Sequence, residues 1–303
     1  MESGTESVWQ HEYKHQIDRL WHLIVEQMFT DCSFVFEDPE GNKKIVLAHK
    51  LILVAASPVF QQMFYGPMAE KDGTIVITDI NVITFQNMIE FIYTDCINFD
   101  TVEMACQLYY AAKKYMLKHL MEACVIFLSA NVNLQTFSQI YEFSEFYDEP
   151  SLKKECSEFL IADAKEVLTD PNFTDIKMST MLFILDHDKL KHVTELDLFN
   201  ALERLATKKG LLQNKATQNA EQTNDMLLLK KAIKKIRFLT MTPETFANGP
   251  AHSKLLEKQE TLAILIKLSS PYNQNYKLPE GFTDSLTKRT MIFLTRPSRY
   301  CYA

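Results

Sequence analysis

The sequence predicts a mainly α-helical protein in two parts, an α+β segment to about residue 130 and an all-helical segment to about residue 270. Three observations carry that prediction. Apolar residues recur at spacings of three and four through most of the 303 residues, as one-sided helices require. Only 7 glycines occur, so few turns depend on a positive φ. The stretches that read as strands, SFVF at 33–36, KKIVLA at 43–48 and TIVITD at 74–79, all precede residue 80.

The elements follow in order. Residues 1–12 form a polar tail. From there Tyr13, Ile17, Leu20, Trp21, Ile24, Val25 and Met28 fall on one face of a first helix. This stripe is too apolar to be left in water, so it needs a covering surface, and a second copy of the chain is one such surface. DPEGN at 38–42 supplies the hairpin turn between the first two strands. HKLILVAASPVFQQMFYG at 49–66 reads as two short helices broken at Ser57-Pro58, with Ser57 as cap and Pro58 in the first turn of the second. Met63, Phe64 and Met68 near its Gly-Pro turn fit either core or contact surface. The third strand comes next, then the helices NVITFQNMIEFIYTD, TVEMACQLYYAAKKY and LKHLMEACVIFLSAN. Past about residue 130 strand signals vanish and helix pairs run to about 206 without a fixed period, so a regular solenoid is not expected. Residues 207–225 read as a polar surface loop, helix returns at DMLLLKKAIKKIRFL and over 253–268, and residues 271–303 read as a poorly ordered tail.

Composition narrows the function classes. Hydrophobic residues at 47% and charged residues at 23% are globular values. A net charge of −7 with scattered lysines disfavours nucleic acid as a direct ligand. The start MESGTESVWQ is polar and acidic, unlike a secretory signal. Apolar runs such as TLAILIKL at 261–268 are far shorter than the roughly 20 residues of a membrane span. The cysteines (Cys32, Cys96, Cys106, Cys124, Cys156 and Cys301) contain no CxxC pair and read as reduced, buried small hydrophobes. The expectation is a soluble intracellular protein, cytoplasmic with the nucleus open to it, that touches neither nucleic acid nor membrane.

One string points elsewhere. HEYKH at 11–15 matches H-E-x-x-H, the zinc-protease pattern. On the predicted helix, however, His11 and His15 face away from the apolar stripe and into water, and the positions of the extended zinc motif hold Asp18 and Trp21. A solvated helix face is the better reading. His49 has no serine, cysteine or acid partnership around it and is expected to be a hydrogen-bonded, partly buried histidine. Asp186, His187 and Asp188 read as helix capping and solvation. Neither GxGxxG nor GxxxxGK[ST] occurs. No catalytic, cofactor-binding or metal-binding residue is expected.

The assembled residues resemble the BTB (POZ) domain. TDCSFVF at 30–36, AHKLILVAASPVFQQMF at 48–64 and IVITDINVITFQNMIEFIYTD at 75–95 are similar to its signature, and LYYAAKKYMLKHLMEACVIFL at 108–128 to its closing helices. FLIADAKEVL at 159–168 and LKHVTELDLFNALERLA at 190–206 resemble a BACK domain. VWQ at 8–10, MFYGPMAE at 63–70 and IRFLTMTPETFANGPAHSKLL at 236–256 narrow the resemblance to the BTB–BACK–PHR subfamily. Two departures stand out: Leu205 occupies a place usually held by tryptophan, and no PHR β-sandwich occurs before Ala303.

The resemblance implies a BTB/POZ domain over 13–130 that includes an N-terminal dimerisation helix, and a BACK-like domain over 131–270. It implies pairing with itself or with related BTB proteins through the Tyr13–Met28 stripe. It further implies an adaptor that joins a cullin-3 scaffold to a protein substrate. Met68 and Glu70 match the hydrophobic-x-Glu cullin motif and Tyr115 matches the groove aromatic. Phe137, Tyr141, Phe143 and Phe146 would extend that groove, although helix-pair core is the expected place for most of them. With no PHR domain, substrate capture would fall to the BACK face, to residues 207–303 or to a partner chain, and such a short form would compete with longer relatives. The alternative is a BTB scaffold or corepressor-type assembly module with no cullin role.

Overall fold

The computed structural model describes residues 8–37, 40–67, 69, 73–212, 220–270 and 277–289. The chain divides into two compact units after Asn131.

The first unit is built round three strands, β1 (Cys32–Glu37), β2 (Lys43–Ala48) and β3 (Thr74–Ile77). β1 lies in the middle, antiparallel to β2 and parallel to β3. Phe34 stands opposite Val46 on one side and Ile75 on the other, and all three are buried. A slip of one residue would turn that whole row outward, so the apolar alternation fixes the register.

Helices α2 (Lys50–Ala56) and α3 (Pro58–Tyr65) carry the chain from β2 to β3. Ser57 separates them as predicted. Its Oγ accepts from the Val59 and Phe60 amides at 3.2 and 3.3 Å and donates to the Tyr115 carbonyl at 2.5 Å. One hydroxyl therefore starts α3 and ties it to a turn 58 residues away. The remaining helices are α4 (Val82–Thr94), α5 (Val102–Lys114) and α6 (Lys118–Ala130). Asn81 caps α4 through the Thr84 amide at 2.8 Å, and Thr101 caps α5 through the Met104 amide at 3.1 Å. The core is aromatic: Phe34 packs on Phe85 at 4.6 Å and Phe60 at 5.8 Å between ring centroids, and Phe60 stacks on Tyr115 at 4.4 Å.

The first helix is shorter than predicted. α1 spans Gln16–Val25, and Tyr13 precedes it. His15 is in extended backbone at φ −96°, and Trp9–His11 form a separate turn of 3₁₀-helix. Local bonds account for the late start. The Tyr13 hydroxyl meets His22 Nδ1 at 3.2 Å, the Trp9 ring lies tilted against the same imidazole at 4.8 Å between centroids, and Arg19 donates to the Tyr13 carbonyl at 2.8 Å. Residues 9–13 thus fold back along α1 instead of extending it.

The second unit is helical: α7 (Phe137–Tyr147), α8 (Pro150–Thr169), α9 (Met178–Asp186), α10 (Glu195–Lys208), α11 (Ala220–Lys235), α12 (Pro243–Asn248) and α13 (Lys258–Ser269). α8 bends at Asp163, whose backbone leaves helical values at φ −121°. α10 opens with a reciprocal capping box between Thr194 and Asp197 and buries Leu198, Phe199, Leu202 and Leu205. The predicted loop is narrower than 207–225, because α10 runs to Lys208 and α11 begins at Ala220; residues 213–219 lie outside the described part.

The expected tail also needs correction over 277–289. This stretch has no helix or strand, yet it lies against the second unit. The Thr283 amide donates to the Lys234 carbonyl at 3.1 Å, the Thr287 carbonyl accepts from Arg237 at 3.2 Å, and Phe282 sits 6.1 Å from the Phe238 ring. The strap ends at Arg289, which is only 6% exposed. Periodicity gave no warning, because the residue that anchors the strap is a cation.

Candidate interaction surfaces

α1 has a face without cover. None of its residues is buried, although the helix lies against α4. Val25 is 54% exposed and Ile17 37%, while Leu20, Trp21 and Ile24 are half-buried. Tyr13 and Met28, just outside the helix, are half-buried as well. Phe29, which the sequence reading passed over, follows at a positive φ of 60° with its ring largely in solvent. An apolar side chain forced into left-handed backbone is the signal that marks it.

His49 locks the end of this segment to the core. Its backbone amide donates to the Tyr93 hydroxyl at 3.0 Å, its Nε2 meets the Met28 carbonyl at 2.7 Å and its Nδ1 meets the Tyr93 hydroxyl at 2.7 Å. A carbonyl only accepts, so Nε2 carries the proton, and in the neutral ring Nδ1 accepts from the tyrosine. This is the hydrogen-bonded histidine expected from sequence.

The other nominated residues are placed differently. Met68 and Glu70 lie outside the described residues. Tyr115 is 0% exposed and stacked inside the first unit's core, so its ring offers no surface in this chain. Its hydroxyl is a buried polar atom with no hydrogen-bond partner among the described residues, and burial raises its pKa above the usual tyrosine value. Phe137 and Tyr141 are likewise core side chains: Tyr141 stacks on Phe183 at 4.0 Å and Phe137 packs near Phe159 at 5.8 Å. Helix packing takes the Phe137 and Tyr141 side chains of α7 inward, the place expected for most of these aromatics, and Tyr115 lies in the core at the end of α5. Of the five α7 aromatics Phe143 is buried as well, Tyr147 is half-buried and Phe146 is on the surface at 79% exposure.

A further apolar row was missed. On the outer face of the sheet, Ile45 and Val76 flank Val35 in register, and both are well exposed. The period-two alternation of KKIVLA and TIVITD marks an outer face as readily as an inner one.

The H-E-x-x-H string does not lie on one helical turn. His11 ends the 3₁₀ turn and His15 precedes α1. Among the described residues no group of three His, Cys, Asp or Glu side chains converges as a metal site would require. The Asp186–Asp188 cluster does more than cap: Asp186 pairs with Lys235, Asp188 with Arg237, and His187 Nδ1 meets the Phe183 carbonyl at 2.8 Å. Among the described residues no helix is long and apolar enough to cross a membrane.

Comparison with known families matches residues 22–132 to the BTB/POZ domain and residues 137–249 to the domain described as BTB And C-terminal Kelch. The chain is 30% identical over 279 residues to BTB/POZ domain-containing protein 6 of Xenopus tropicalis, covering 92% of this chain and 51% of that protein. It is 33% identical over 258 residues to BTB/POZ domain-containing protein 3 of Homo sapiens, covering 85% of this chain and 48% of that protein. The chain spans about half the length of these curated relatives. With an α+β unit followed by an all-helical unit under the two matches, the chain belongs to the BTB–BACK family of protein-interaction proteins.

Proposed function

We propose that this chain is a homodimeric substrate adaptor for a cullin-3 ubiquitin ligase, with no chemical step of its own. The observation that carries the reading is the unbroken order of a BTB/POZ match over 22–132 and a BACK match over 137–249. The uncovered α1 face supports pairing with a second copy or with a related BTB protein. Met68 and Glu70 remain the nominated cullin contacts in the first unit, and Phe146 is an exposed aromatic of the helical unit. In this role Met68 is an adaptable apolar knob and Glu70 a charge that orients the partner helix. The site of action is the cytoplasm, with the nucleus as a second compartment.

Binding of the purified chain to the cullin-3 N-terminal domain tests this, measured by calorimetry. Wild type binds, and Met68→Ala with Glu70→Ala together weaken binding by about 2 kcal/mol or more, the scale of an interface hot spot. Unchanged binding in the double variant removes the motif assignment.

A second reading, a BTB scaffold without a cullin role, draws on the burial of Tyr115, Phe137 and Tyr141, which takes three nominated contacts off the surface. Under it the chain forms dimers and does not bind the cullin.

A further inference from the structure

The geometry points to an arginine receptor in the helical unit, occupied by the chain's own Arg289, into which a partner protein can insert an arginine on an extended peptide segment by displacing residues 277–289. This does not rest on the cullin reading; in an adaptor it would provide a substrate-side contact.

The receptor is built from four acceptors. Glu195 Oε1 accepts from Arg289 Nε at 2.7 Å, the Leu185 and His187 carbonyls accept from Nη1 at 2.8 and 2.7 Å, and the Lys235 carbonyl accepts from Nη2 at 3.2 Å. Leu185 and His187 flank the last residue of α9, and Lys235 is the last residue of α11. Two helix C-termini therefore turn their unsatisfied carbonyls, the negative ends of their dipoles, onto one cation. Glu195 is buried too, and its Oε2 accepts from the Arg237 amide at 3.0 Å, so the carboxylate is held in place before the guanidinium arrives. Three different nitrogens of one planar fork reach four acceptors, and a lysine, with a single nitrogen, cannot reproduce that pattern.

The occupant is fastened at few points. Arg289 is the one buried residue among the described residues 277–289. The segment has no regular structure, Leu286 is exposed and Phe282 only half-buried. Segments with so little buried apolar area open at lower free energy than the core beneath them. An emptied receptor would strand a buried carboxylate and helix-end carbonyls. Opening is thus favourable only as an exchange, one guanidinium for another. The tethered strap competes at an effective concentration on the order of millimolar, so an entering segment must either bind more tightly than the strap or be present above that concentration.

The test uses the full chain and a synthetic peptide of its own strap, KLPEGFTDSLTKR, with hydrogen exchange at the Thr283 amide as the reporter. Excess peptide is expected to speed exchange at Thr283 in the wild-type chain, while the same peptide carrying Arg289→Ala does not. In the Arg289→Ala chain the wild-type peptide is expected to bind about tenfold more tightly than to wild type, since the resident competitor is gone. Exchange at Thr283 that ignores both peptides, or responds to both alike, overturns the proposal. Should the Arg289→Ala chain not fold, the wild-type experiment decides alone.

Discussion

The two ends of the described chain invert the usual rule of burial. At the start, α1 carries Ile17, Trp21 and Val25, and not one residue of the helix is buried. At the end, the strap carries a guanidinium to the interior, where four acceptors meet it. One end leaves apolar surface for something else to cover, and the other has its charge already matched. The contrast separates an apolar surface left exposed from a charge whose partners are built in. Both elements are peripheral and short of regular contacts, and neither reveals its state through hydrophobic pattern alone.

The largest expected effect is at the charged end. Glu195→Ala leaves Arg289 buried without its carboxylate and is expected to destabilise the helical unit by about 3–5 kcal/mol. Urea unfolding checks this, and a loss confined to a few tenths of a kcal/mol would mean that the strap lifts off without cost. At the other end, Ile17→Asp with Val25→Asp is expected to leave the fold intact and to abolish self-association, since both side chains already meet solvent in the single chain. Sedimentation of the variant checks it, and a surviving dimer would move the interface elsewhere.

Two smaller effects ask whether the cores between these ends are finished. Tyr115→Phe removes a buried hydroxyl that has no partner among the described residues, so it is expected to be neutral or stabilising by about 1 kcal/mol on thermal unfolding. A clear loss would show that the hydroxyl is bonded in solution. The smallest concerns acid. Burial raises the pKa of Asp197, but the hydrogen bonds from Lys165 and Thr194 outweigh it and hold the carboxyl below its ordinary 3.8. A depressed carboxyl stabilises the fold above the unfolded-state value and loses that contribution as pH falls through the folded-state value. Asp197→Asn should therefore reduce stability at neutral pH and flatten its fall below about pH 4. Denaturant titrations across that range measure it, and parallel curves for variant and wild type would contradict the assignment.

Much of the fold was legible in the residues. The alternation of SFVF set β1 with Phe34 inside, and Ser57-Pro58 marked the break between α2 and α3, because cap chemistry and strand period are local rules. The start of α1 was not legible. Tyr13 continues the apolar spacing perfectly well, but His22 and Arg19 draw it back along the helix, and such contacts between neighbouring turns leave no periodic trace. The strap was hidden for the opposite reason, since its anchor depends on carbonyls of helices about 50 and 100 residues earlier. Of the candidate contacts, α1 was readable as an over-apolar stripe. The inward placing of Phe137 and Tyr141 was readable as helix-pair core, whereas the burial of Tyr115 was not, because a family motif records which residue stands at a place and not which way a given chain turns it.

The central claim, that α1 is an unfinished apolar surface completed by a second chain, is tested most directly by sedimentation equilibrium of the full chain at micromolar concentration. The account predicts twice the 35.1 kDa chain mass for wild type and the single-chain mass for Ile17→Asp with Val25→Asp. A monomeric wild type, or a variant that keeps the doubled mass, would contradict it.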